Sequence, residues 1–136
     1  MHELFGKASS LLAKLYIALD AHDFEAVAGC FSTDGVWIRQ GKTLRGREEI
    51  QGTLSDTKPA TRTTIHVVTN VCIDSQSDRE GTCRFYLTVY RHNSEFPPPY
   101  PVPTPGVVGL GNAELIYNGH QWLLQHMKTG PYVFAN

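Results

Sequence analysis

Residues 64–73, Thr-Ile-His-Val-Val-Thr-Asn-Val-Cys-Ile, limit the folding options of this chain more than any other stretch. Side chains alternate along an extended strand, so Ile65, Val67, Val71 and Ile73 fall on one side and His66, Val68, Asn70 and Cys72 on the other. Both faces read as buried. A strand covered on both sides with His66 and Asn70 on one face holds either satisfied core polar groups or the polar lining of a pocket.

The length of 136 residues suits a single domain, 1–136, large enough for a real core. Charged residues make up 18% of the chain, below the usual globular share, which favours a large cavity or a covered surface. Twelve basic against thirteen acidic residues leave no electrostatic footprint for nucleic acid or an anionic membrane. Small neutral molecules and protein partners remain. The start lacks a basic region followed by an apolar one, and no apolar run approaches spanning length, so a cytoplasmic location is expected. Cys30, Cys72 and Cys83 include no C-x-x-C pair, and the histidines lack ligand spacing. Neither a disulfide nor a metal nor another cofactor is expected.

In chain order, residues 8–21 place Leu11, Leu12, Leu15 and Leu19 at helical spacing, with Tyr16 and Asp20 one turn apart on one side. Asp23 is placed to cap a second helix over 24–31. Thr33, Asp34 and Gly35 signal a turn, residues 36–39 a short strand including Trp37, and residues 46–54 a third helix. Arg47 on it reads as a surface residue. Extended segments follow over 61–73, 81–92, about 111–118, and 122–128. Residues 96–105 carry six prolines and cannot pair inside a sheet. The run 96–111 is therefore either an ordered long loop, hinged by glycines beside a cavity mouth, or a proline-rich ligand for a partner; the first reading fits its place between two strands.

This order argues for an α+β fold in which a curved antiparallel sheet wraps round a helix. Three phrases then carry a family resemblance: Ala18-Leu19-Asp20-Ala21-His22-Asp23-Phe24, Phe31-Ser32-Thr33-Asp34-Gly35-Val36-Trp37, and Leu44-Arg45-Gly46-Arg47-Glu48-Glu49-Ile50. With the strand around His66 and the later Gly119-His120-Gln121-Trp122, they make the chain similar to the SnoaL-like family of the nuclear-transport-factor-two-like superfamily. The resemblance implies a cystatin-like half-barrel, a cone of curved sheet around N-terminal helices, with an apolar cavity and usually a homodimer built on the outer face of the sheet. In the scytalone dehydratase-like branch an aspartate ending the first helix pairs with a histidine on the strand after the third, which falls on Asp20 and His66. Other groups of that branch do not carry over. Its tyrosine before the aspartate falls on Leu19, its first-strand tyrosine near Arg39, its second histidine near Arg91 or His92, and its asparagine near Glu114.

A carboxylate that accepts from one imidazole nitrogen fixes the tautomer and leaves the other nitrogen to act as base or acid. Elimination, isomerisation or cyclisation beside a carbonyl needs that base and a partner for the developing oxyanion. Tyr16 and Asn70 lead the candidates for the partner, followed by Arg91 and Tyr86; Trp37 and Glu114 complete the expected substrate-binding set. Two functions stay open. One is a cofactor-free lyase, isomerase or cyclase acting on an oxygenated polyketide, aromatic or terpenoid-like molecule. The other is a non-catalytic binding or assembly module resembling a dioxygenase small subunit.

Overall fold

The computed structural model describes residues 3–57 and 59–136. The elements are α1 (Glu3–Asp20), α2 (Phe24–Gly29), β1 (Phe31–Arg39), β2 (Lys42–Arg45), α3 (Gly46–Thr57), β3 (Arg62–Gln76), β4 (Glu80–Asn93), β5 (Val107–Tyr117) and β6 (Trp122–Ala135). The α+β half-barrel expected from the sequence is the fold found, with one refinement. The six-stranded sheet runs β2-β1-β6-β5-β4-β3, and its β1–β6 pairing is parallel while the rest are antiparallel.

Leu4, Ala8, Leu12, Leu15 and Leu19 are buried along α1 at intervals of three and four, the spacing of one helical face. Each leucine buried this way contributes about 1.5–3 kcal/mol. That face packs mainly on β3, and also on β6. Facing it from the sheet are Cys83, Phe85, Leu87 and Val89 of β4 and Ala113 and Leu115 of β5, alternate residues with period two. Gly111 keeps that face open, because a Cβ there would run into the Phe85 ring. Asp23 caps α2 by accepting from the Ala26 N–H at 3.1 Å, and Arg47 holds α3 to β1 by donating from Nε to the Phe31 carbonyl at 2.7 Å. The expected surface role of Arg47 is thus corrected to a half-buried tie between elements.

Several local expectations are corrected. Residues 33–35 do not turn the chain; they lie inside β1, where the register against β6 shifts between Phe31 and Val36. The turn comes at Gln40 and Gly41, both at positive φ (51° and 75°), which is the two-residue geometry that matches strand twist and makes β2 a hairpin partner of β1. The proline-rich loop ends at Gly106, since Val107 already pairs with Val89 and Ala135. Tyr100 fastens the loop by donating to the Phe96 carbonyl at 2.7 Å and stacking on His92 at 4.4 Å. β6 continues past Lys128 through Gly130 and Pro131 to Ala135.

The most consequential correction lies within β3. His66 and Val68 do share the inner face, with Ile65, Val67 and Thr69 exposed on the outer one. Asn70 then adopts φ 57°, the pairing with β4 shifts between Thr69 and Cys72, and alternation restarts one residue late. This is a β-bulge, and Asn tolerates its left-handed backbone better than most side chains. Val71 and Ile73 therefore turn inward to pack on the core, while Asn70 and Cys72 are exposed. No helix among the described residues is long and apolar enough to cross a membrane.

Candidate active site

The last turn of α1 brings Asp20 against the start of β3. Its Oδ1 lies 2.6 Å from His66 Nδ1 and accepts from the Thr64 hydroxyl at 3.2 Å, while Oδ2 accepts from the His66 backbone N–H at 2.9 Å. The pair is sheltered, with only 7% of the His66 side chain and 13% of that of Asp20 exposed. A carboxylate held by three donors cannot rotate freely, so it keeps the Nδ1–H tautomer and leaves the lone pair on Nε2.

Tyr16, one helical turn before Asp20, lays its ring on the imidazole at 4.9 Å with the planes 22° apart. The same ring meets Trp37 edge-on at 6.5 Å. Trp37 is buried and donates from Nε1 to the Thr129 hydroxyl at 3.1 Å, with Phe31 stacked at 5.7 Å. The Tyr16 hydroxyl is itself buried and meets no hydrogen-bond partner among the described residues. Burial raises its pKa, the Tyr132 and Asp20 charges push the same way, and Arg39 opposes them. It is a protonated donor held beside the imidazole.

Arg39 lies two residues beyond Trp37 on the same face of β1, its guanidinium carbon 4.8 Å from the Trp37 ring centroid. Burial lowers its pKa, partly offset by Tyr16 and Tyr132, with Arg91 adding repulsion. Arg91 stands directly across from Thr64 in the β3–β4 register, and its side chain lies against Gly106 at the base of the proline-rich loop.

Of the residues expected at the site, Asp20, His66, Tyr16 and Trp37 come together, and Arg91 stands at the edge of the group. Asn70 does not, because the bulge leaves it exposed. Tyr86 and Glu114 are exposed on the outer face of the sheet, out of phase with the buried Phe85 and Leu115 beside them. Thr64, Arg39 and Tyr132 were not expected. Thr64 and Arg39 carried a signal, each two residues from a predicted site residue on the same strand face; Tyr132 lay beyond the predicted end of its strand. An open groove of about 470 Å³ lies at the other end of α1, lined in part by Lys7, Lys14, Tyr117 and Trp122. It includes no member of the dyad. Among the described residues no three His, Cys, Asp or Glu side chains converge as a metal ligand set.

A SnoaL-like domain model matches residues 7–128, nearly the whole chain. The chain belongs to the SnoaL-like domain family. Among solved structures this SnoaL-like domain is similar to ActVI-ORFA from Streptomyces coelicolor, at 20% identity and TM-score 0.80, covering 96% of this chain and 97% of that one. It is also similar to a candidate scytalone dehydratase from Novosphingobium aromaticivorans, at 19% identity and TM-score 0.78, covering 94% and 83%. A third relative in fold is a protein from Catenulispora acidiphila solved in complex with S-DNPA, at 22% identity and TM-score 0.79, covering 95% and 95%. At these identities the likeness establishes the fold. No curated protein matches the chain in sequence.

Proposed function

We propose that this SnoaL-like domain is an acid/base enzyme, a lyase, isomerase or cyclase for an oxygenated polyketide, aromatic or terpenoid-like molecule, with Asp20 and His66 as its catalytic dyad. The observation that carries the proposal is the sheltered 2.6 Å contact between Asp20 Oδ1 and His66 Nδ1 beside a buried tyrosine hydroxyl that meets no partner among the described residues. His66 Nε2 takes a proton from a carbon next to a carbonyl, and the electron pair moves to the carbonyl oxygen as an enolate. The Tyr16 hydroxyl donates to that oxygen. The imidazolium, stabilised by Asp20, then returns the proton. Delivered to a departing hydroxyl it releases water; delivered to another carbon it completes an isomerisation. Trp37 supplies an apolar wall. No step requires an electron acceptor or a metal.

The test uses 5-nitrobenzisoxazole, which opens to a phenolate on loss of one proton and so reports a general base directly. Wild type is expected to accelerate the opening, and Asp20→Asn and His66→Ala each to lose about 100- to 10,000-fold of that acceleration. Full activity in the Asp20→Asn variant would sink the dyad.

We also propose that the protein is a homodimer through the outer face of the sheet. Ile65, Val67, Tyr86, Leu110 and Phe134 are exposed there on four adjacent strands, a patch that suits a second copy. Sedimentation is expected to show a dimer at micromolar concentration, and Leu110→Glu to shift it to monomer. A wild-type monomer would contradict the assignment.

A further inference from the structure

Two guanidinium groups stand beside the dyad without a carboxylate to answer them. Arg39 is half-buried, stacked over Trp37 at 4.8 Å, and makes neither an ion pair nor a hydrogen bond among the described residues. Arg91, exposed at the rim, likewise has no ion pair among them, although it sits opposite Thr64, whose hydroxyl binds Asp20. The Asp20 carboxylate is already held by His66 and Thr64. Arg84, exposed as Arg91 is, is by contrast matched by Asp74 at 2.8 Å from two of its nitrogens. An arginine withdrawn from water loses hydration, and a second cation close by adds repulsion. Such a pair is stabilised when an anion enters between them.

We propose that the substrate carries a carboxylate, seated by Arg39 and Arg91, which hold its reacting carbon near His66. This rests on the acid/base reading above and narrows its substrate class. A carboxylate suits the arrangement better than an ionised hydroxyl, because its two coplanar oxygens match the forked donors of a guanidinium. Arg39 is further aligned by its stack on Trp37, whose ring is fixed by Thr129 and edge-packed by Tyr16. The same residues thus link the anion seat to the ring that covers His66. The role of the two arginines is binding and positioning, while proton transfer stays with the dyad.

The experiment compares 2-naphthoate with its neutral isostere 2-naphthamide by titration calorimetry. Wild type is expected to bind the carboxylate at least about tenfold more tightly than the amide, as a charge-assisted pair should. Arg39→Gln should bring the ratio close to one, and Arg39→Lys should keep part of it, because the charge remains and the fork is lost. Raising the salt concentration on wild-type protein should weaken the carboxylate alone, a measurement that needs no variant to fold. Equal affinities in wild type, no detectable binding of 2-naphthoate, or an unchanged ratio in the Arg39→Gln, Arg91→Gln double variant would overturn the proposal. Asp20→Asn separates this inference from the one beneath it. A carboxylate preference in wild type together with base activity that Asp20→Asn leaves intact removes the dyad reading and leaves the seat, whereas turnover lost in Asp20→Asn without any carboxylate preference in wild type removes only the seat.

Discussion

Near each end of β3 a basic side chain pairs with a carboxylate, and the two pairs could hardly differ more in surroundings. Near its start, His66 and Thr64 hold Asp20 on the inner face, with 7% of the histidine and 13% of the aspartate side chain exposed. Near its end, Asp74 meets Arg84 with 35% and 65% exposed. The outer pair has good geometry, and the arginine beside Asp74 lowers the pKa of its carboxyl, yet solvent and salt screen such a pair until it contributes little to folding. The inner pair has little water to screen it, and what it controls is the orientation and tautomer of the imidazole. What separates the two is the bulge at Asn70. Before it even-numbered residues face the core; after it Val71 and Ile73 do, and Asp74 with Cys72 is left outside.

The sharpest way to break this comparison is a pair of polar substitutions at adjacent positions. Uninterrupted alternation from His66 would put Cys72 inside and Val71 outside; the bulge reverses them. Val71→Asn is therefore expected to destabilise the protein by about 2–3 kcal/mol, from lost apolar burial and an amide placed against the core. Cys72→Asn should stay within about 0.5 kcal/mol of wild type, as surface changes usually do. Urea denaturation of the two variants decides, and equal losses, or the reverse order, would remove the bulge from the account.

The same position marks where the sequence could be read and where it could not. Helical spacing showed that Tyr16 and Asp20 share one side of α1, and strand alternation set His66 on one face, but it was the likeness to the scytalone dehydratase-like branch that paired Asp20 with His66. The helix-then-sheet order, the leucine face of α1 and the Asp23 cap followed from spacing alone. Asn70 was assigned to the site because period-two counting has no place for an extra residue, although Asn is one of the few side chains that accept such a backbone. Tyr86 was contradicted by its own strand, since Cys83, Phe85, Leu87 and Val89 already claimed the inner face. Glu114 came from a gapped comparison with the family and fell one residue out of phase with Ala113 and Leu115. The Gln40–Gly41 turn lacks the usual Asn-Gly signature. Gly130 and Pro131 look like a strand terminator, which hid Tyr132. Arg39 was noticed as a departure from the family, and the anion seat proposed for it rests on the fold, which stacks it on Trp37 with no acid paired to it among the described residues.

A smaller effect sharpens the comparison through two thiols. Cys72 is exposed next to Asp74, while Cys83 is inward-facing on β4, directly across from Ile73 and 2% exposed. Burial pushes the Cys83 thiol up to about 11, and the Asp74 charge adds to the rise. Cys30 is also buried, and burial raises its thiol pKa too. Iodoacetamide at neutral to mildly alkaline pH should therefore add one group to the folded protein, at Cys72, and three after unfolding in urea; intact-mass measurement counts them. Because the fold holds the Cys83 proton more tightly than the unfolded chain does, its contribution to stability is complete below the ordinary thiol pKa of about 8.5. It is lost as pH rises toward about 11. The urea midpoint should fall across that window, and Cys83→Ala should make the fall shallower without abolishing it, since Cys30 and Tyr16 shift in the same direction. Labelling of Cys83 ahead of Cys72 in the folded protein would mean that the second half of β3 presents the opposite face, and the separation of its inner and outer pairs would go with it.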